Sequence, residues 1–143
     1  MPQKPEGKFI TKVHGKLSKD VYHQGMGLTS TNGTPDVWYE GYHDTLWVEY
    51  KWWDNIPKEF NLCERKSSPK LSKLQQNWLA RGYERASNVA VVVGSPHGAI
   101  FLPSMEWCGT VLRDNYHPLD VSSVADIIDT LVNALPKVTK YKL

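Results

Sequence analysis

The clearest alternation of apolar and polar positions runs through Leu46, Trp47, Val48, Glu49, Tyr50 and Lys51, and with Val37, Trp38 and Tyr39 upstream it predicts two extended segments. Residues 41–45 between them, Gly-Tyr-His-Asp-Thr, read as a hairpin turn. A side-chain period of two places Trp47, Glu49 and Lys51 on one face of the second segment and Leu46, Val48 and Tyr50 on the other. Before the hairpin, residues 5–17 carry a helical period, with Phe9, Ile10, Val13 and Leu17 on one stripe and Lys8, Lys12 and Lys16 opposite. Glu6 lies one turn before Ile10, on the apolar side. Gly7 and Gly15 work against this helix, each by about 1 kcal/mol relative to alanine. Residues 20–26 predict an edge strand beside the hairpin, and 28–33 a polar loop leading into Pro35.

After the hairpin come Trp52 and Trp53, adjacent on a strand, so one of them is expected to face solvent, either to stack on a base or to pack at a dimer interface. Residues 63–70 form a basic loop rich in turn residues. Residues 71–82 predict a helix with Ser72 as N-cap, Gln75 completing a capping box, Leu71, Leu74 and Trp78 on the buried face and Gly82 as the stop. The unbroken apolar run at 88–94 predicts a strand buried on both faces, followed by another at 99–102. Residues 103–118 look irregular, anchored by Trp107 and Tyr116. Residues 120–135 predict an amphipathic helix between an Asp120 N-cap and a Pro136 stop. This order of elements predicts an α/β sandwich around one mixed sheet. At 143 residues it suits a single domain, 1–143, whose basic tail at 136–143 is expected to be flexible.

Composition narrows the classes. With 41% hydrophobic and 22% charged residues the chain has an ordinary globular balance, and it has neither a membrane-length apolar run nor a signal-peptide pattern, so the expected location is the cytoplasm, or a host's cytoplasm if the chain is phage-encoded. Cys63 and Cys108 form no CxxC and read as reduced thiols. A net charge of +2 is too small to argue for nucleic acid by itself. Phosphate-binding loops, nucleophile elbows and HExxH helices are absent, which removes nucleotide cofactors from the picture.

The chemistry therefore gathers at the hairpin. If it brings Asp36 onto the face of Glu49 and Lys51, two carboxylates and an ammonium converge where an apolar strand face would be expected. Magnesium takes hard oxygen ligands and keeps several waters, so Asp36, Glu49 and the Tyr50 backbone carbonyl suit it as a ligand set, with Mn2+ expected to substitute. Such a centre suits phosphodiester hydrolysis, with Lys51 as a second cation beside the metal. His23 is read as a strand histidine satisfied by a hydrogen bond rather than a ligand.

Pro35-Asp36 followed by Glu49-Tyr50-Lys51 resembles the PD-(D/E)xK signature of a large nuclease superfamily, and is most similar to its small phage-type members, the VRR-NUC domains and phage Holliday-junction-resolving endonucleases. The resemblance covers residues from about 6 to about 102, by rough judgement of motif positions. It implies a restriction-endonuclease-like core with a mixed sheet flanked by helices, Glu6 as a further acidic contributor from the first helix, and Gln75, or failing it Gln76, as a site residue. It further implies DNA as partner, a homodimer, and a structure-selective, Mg2+-dependent endonuclease; the row Lys8, Lys12 and Lys16 and the loop residues Arg65, Lys66 and Lys70 then read either as contacts to DNA phosphates or as ordinary solvated surface. A lysine that such proteins often carry on the first strand is missing here, where Gly25 stands. The alternatives are a homing or restriction-type endonuclease, and a non-catalytic DNA-binding module on the same fold.

Overall fold

The computed structural model describes residues 3–27 and 32–134. The chain runs through α1 (Pro5–His14), β1 (Tyr22–Gly25), β2 (Val37–Glu40), β3 (Thr45–Trp52), β4 (Glu59–Phe60), α2 (Lys73–Glu84), β5 (Val89–Gly94), β6 (Ile100–Pro103), β7 (Val111–Leu112) and α3 (Val121–Asn133). Five strands form one mixed sheet in the order β1-β2-β3-β5-β6. The β3 and β5 strands are parallel, and α2 makes the crossover that a parallel pair requires. The other three pairings are antiparallel.

The predicted period of two in β3 separates two cores. Leu46, Val48 and Tyr50 face α1 and α3, packing with Phe9, Val13, Val124, Ile128 and Val132. On the opposite face Leu79 of α2 packs with Val91, Val93, Leu102 and Trp107. Every residue of β5 is buried, as a continuous apolar run between two layers of cover requires. The fold is thus a mixed α/β sheet flanked by three helices, and the expected hairpin, edge strand and α3 N-cap at Asp120 are present.

Several expectations need correction. Helix α1 ends at His14 rather than Leu17, with Gly15 as its C-cap. Helix α2 does not stop at Gly82 but continues to Glu84. Gly82 is there for clearance, since a Cβ on it would lie 2.9 Å from the Val89 side chain where helix and sheet approach. Leu74 is not on the buried face; it is 53% exposed, while Leu79 fills the core. Trp52 and Trp53 both pack, on opposite faces, Trp52 against Phe9 and Trp53 against Phe60. The stretch 103–118 holds β7, which pairs with β4 in a second, two-stranded sheet. Cys63 and Cys108 face each other as free thiols. Residues 28–31 of the polar loop expected at 28–33, the Pro136 stop and the basic tail lie outside the described residues.

Under β2 and β3 a polar chain crosses the first core. His14 Nε2 meets the Tyr39 hydroxyl at 2.8 Å, and that hydroxyl meets the Tyr50 hydroxyl at 2.5 Å. His23 stacks on His14 with ring centroids 3.9 Å apart, so among the described residues its contact is another ring rather than the expected hydrogen bond. Burial, and then the neighbouring His23, lower the His14 pKa from 6.5 to about 4. The fold therefore favours neutral His14, and this contribution is complete above about pH 6.5 and lost as pH falls through 6.5 toward 4. His14→Gln keeps a hydrogen-bonding group and removes the titration. Urea melts at pH 7 and pH 4.5 are expected to show a larger stability loss for wild type than for His14→Gln, and equal losses would contradict the burial of a neutral imidazole.

Candidate metal-assisted active site

Strand β2 pairs with β3 only from Val37↔Val48 to Glu40↔Thr45. One step further the register sets Asp36 opposite Glu49, where β2 leaves the sheet. The backbone N–H of Tyr50 then lacks a strand acceptor on that side and donates to Asp36 Oδ2 at 2.8 Å. Asp36 is thereby held in the opening between diverging strands, next to buried Pro35. The loop before it is pinned as well. Gly33 has φ +81° and lies so close to α2 that a Cβ would sit 2.3 Å from the Leu74 carbonyl, a position only glycine can occupy.

Glu49 projects from the middle of β3 and is only 3% exposed. Its Oε2 receives both the Lys51 ammonium at 3.2 Å and the Gln75 amide nitrogen at 2.9 Å. Gln75 Oε1 accepts in turn from Lys51 Nζ at 3.2 Å and from the Ser72 backbone N–H at 2.9 Å. The capping bond and the contact with Glu49 are made by the same side chain. Its amide oxygen closes the capping box while its nitrogen reaches the carboxylate. Gln76 instead donates to the Leu71 carbonyl, away from the acids.

The other oxygen of the same carboxylate, Glu49 Oε1, is buried with no hydrogen-bond partner among the described residues. Such an orphan is costly, and charge makes it more so. Burial raises the Glu49 pKa to about 8, the Asp36 charge adds to the rise, and Lys51 only partly opposes it. Asp36 is also raised, chiefly by burial, while its bond from the Tyr50 N–H, the Lys51 charge and the facing Glu49 carboxyl hold it down. As two carboxylates the pair has no proton to share and Oε1 lacks a donor; with one proton between them they bond. A proton or a cation resolves the conflict.

Glu6, in the first turn of α1, reaches the same electrostatic field from the other side of the sheet. Its pKa is raised by burial and then by Asp36, with Lys51 opposing. Among the described residues no three His, Cys, Asp or Glu side chains are gathered closely enough to hold an ion by themselves. Glu6 therefore stands behind the Asp36–Glu49 pair instead of completing a three-carboxylate cage. The carboxyl oxygens of that pair, the orphaned Oε1 among them, and the adjacent Tyr50 backbone carbonyl are hard oxygen donors, the ligand class that divalent cations such as Mg2+ take.

The basic residues are distributed around this centre. Lys8 and Lys12 are exposed on α1, the helix that carries Glu6, with Lys16 exposed in the turn just after it, and Arg65, Lys66 and Lys70 are exposed on the loop entering α2, the helix that carries Gln75. The feature that sequence reasoning missed is the column of Trp38, Trp47 and Trp78 beside the acids, with centroid spacings of 6.2 and 4.9 Å. Trp38 and Trp47 are cross-strand partners, a pairing the hairpin register could have revealed.

Glu49→Gln replaces the desolvated carboxylate with an amide that can donate toward Asp36. The Glu49 pKa is raised on folding, so its ionisation costs stability as pH rises from about 4.5 to about 8. In EDTA at pH 8 this variant is expected to melt at least about 3 °C above wild type, the shift that about 1 kcal/mol produces in a domain of this size. A variant that melts below wild type would count against a buried, unpaired carboxylate. Gly33→Ala is expected to destabilise by about 1–3 kcal/mol because the left-handed backbone and the α2 contact both resist a methyl group. Chemical denaturation measures this, and a neutral result would mean that the loop does not need its approach to α2.

No protein-family model and no curated protein sequence matches this chain. Among solved structures it is similar to Archaeoglobus fulgidus Hjc, a Holliday junction resolvase from an archaeal hyperthermophile, with a TM-score of 0.55 and 14% sequence identity, covering 86% of this chain and 97% of that one. At that identity the likeness is one of fold, and it matches the resolvase or restriction-endonuclease-like arrangement of a mixed sheet and flanking helices.

Proposed function

We propose that this protein is a metal-dependent DNA endonuclease that acts on branched DNA, with junction resolution or structure-selective nicking as its reaction. The observation that carries the reading is the buried Glu49 carboxyl facing Asp36 with one oxygen unpartnered and an ammonium alongside. A module that only binds DNA has no use for two carboxylates held against a phosphate. The fold likeness to a junction resolvase supports the same reading.

In this reading Asp36, Glu49 and the Tyr50 backbone carbonyl hold Mg2+, or Mn2+ in its place, and Glu6 adds negative charge behind them. The bound ion would supply an acidified water and charge stabilisation on the phosphate oxygens. The chain's own residues do the rest. Lys51, fixed by Glu49 and Gln75, presents its ammonium beside the carboxylate pair, where it orients the attacking water and offsets charge on the pentacovalent phosphate. Gln75 positions both Lys51 and Glu49 from a capped helix end, so neither needs to reorganise when the phosphate arrives. Lys8, Lys12 and Lys16 on one side and Arg65, Lys66 and Lys70 on the other would take the flanking backbone phosphates. We read the acting species as a homodimer, since a symmetric junction presents two equivalent strands to cut. Among the described residues no helix is long and apolar enough to cross a membrane, and we read the cytoplasm, or a host's cytoplasm, as the place of work.

The test is cleavage of supercoiled, linear, single-stranded and four-way-junction DNA with Mg2+. Lys51→Ala is expected to lose cleavage by at least about 100-fold while still binding junction DNA, because one preorganised electrostatic contact contributes on that order. Near-wild-type cleavage by the variant would refute the catalytic assignment. Asp36→Asn is expected to weaken divalent-ion binding in calorimetry, and unchanged affinity would remove Asp36 from the ligand set.

A further inference from the structure

Next to the acidic centre, α2 and the outer face of β3 enclose a depression of about 390 Å³ whose walls include Trp47, Leu74, Asn77, Trp78, Arg81 and Arg85. The Trp47 and Trp78 rings form its floor, tilted by 59° with centroids 4.9 Å apart, and both are half-buried. Leu74, expected in the core, stands 53% exposed at its mouth. Arg81 and Arg85 are exposed, neither is in an ion pair among the described residues, and no carboxylate lines the depression.

Its position ties it to the reaction centre. Trp47 lies two residues before Glu49 on the same face of β3, and Trp78 lies three residues after Gln75, about 5 Å further along the helix axis. A nucleotide held there would be one or two positions from a phosphate at the Glu49–Lys51 pair. An aromatic floor with an apolar lip suits the flat face of a base, and unpaired guanidinium groups suit its phosphate. A paired base has its faces occupied by its neighbours and offers only its edge. A floor of this kind is therefore of use only to a base that has left the duplex.

We propose that this depression binds one unpaired nucleotide of the substrate strand, with its base against Trp47 and Trp78 and its phosphate between Arg81 and Arg85. The inference rests on the nuclease reading and names the substrate feature read beside the site: a flap, bulge or frayed strand at the point of branching.

The experiment measures binding in EDTA, where no cleavage intervenes, using a blunt duplex and the same duplex with a short single-stranded flap carrying 2-aminopurine. Wild type is expected to bind the flapped duplex about tenfold more tightly and to quench the 2-aminopurine, as stacking of one base on an aromatic side chain implies. Arg81→Ala/Arg85→Ala and Leu74→Glu, all at exposed positions that leave the core intact, are expected to bring the flapped duplex down to the level of the blunt one. Trp78→Phe, which keeps an aromatic ring in the core, is expected to reduce the quenching. Equal binding of the two duplexes by wild type, or variants that weaken both alike, would overturn the proposal and leave a simple phosphate clamp. The two readings fail separately. Absence of Mg2+-dependent cleavage of every substrate by wild type sinks the nuclease reading and leaves flap binding standing, whereas Lys51-dependent cleavage without flap preference sinks only this inference.

Discussion

Two carboxyl groups that meet where β2 separates from β3 are the constraint to which the rest of the molecule is fitted. Glu49 is among the few polar side chains buried in the described core, and the sheet encloses it so fully that its ionised form is disfavoured across the neutral range. The protein answers with an ammonium and an amide, but both are directed to one oxygen. The other has no donor among the described residues. A fold selected only for stability would place an apolar residue at this point of the strand, because an unpaired buried charge is among the costlier features a core can hold. Retaining it is what the proposed metal-binding role would require.

The surrounding elements keep that conflict in place. The unbroken apolar β5 lies against β3 in parallel register through Trp52↔Gly94, and so denies the strand any room to rotate its acid toward solvent. Asp36 is held by the backbone of β3 itself, and its loop is pressed to α2 through Gly33. Helix α2 supplies Gln75 from its capped first turn, the most rigid place for a side chain that must orient two others. Glu6 comes from the first turn of α1, across the sheet, so helices on both faces point their N-terminal ends toward the same charge cluster. Preorganisation here follows from secondary structure that is satisfied in its own right.

The likeness to an archaeal junction resolvase extends over most of both chains, yet at 14% identity it speaks for the arrangement of strands and helices. The functional reading stands on the site, where geometry and charge are specific to this chain. The depression beside it adds a second kind of chemistry, aromatic and cationic, to one that is acidic. Together they are the two kinds of chemistry that the proposed cutting of an opened strand would call on.

How much of this was legible beforehand depended on the range of the interactions. Strand period alone placed Glu49 and Lys51 on one face, and the capping box at Ser72 and Gln75 is spelled out by residues three apart, because both are properties of a few bonds of backbone. The hairpin register then carried Asp36 to the same face. Other features were set by contacts between distant segments. Gly82 reads locally as a helix stop, but its meaning is the approach of Val89. Leu74 has the spacing of a core residue and faces outward, because the sheet beneath α2 meets Leu79 instead. The pairing of β4 with β7 and the meeting of Cys63 with Cys108 join residues about fifty apart, with no periodicity to announce them. Local pattern determined which elements form and which acids share a face. Only tertiary packing decided that Glu49 would be desolvated with one oxygen unanswered, because burial is a property of everything that surrounds a residue and not of its neighbours in the chain.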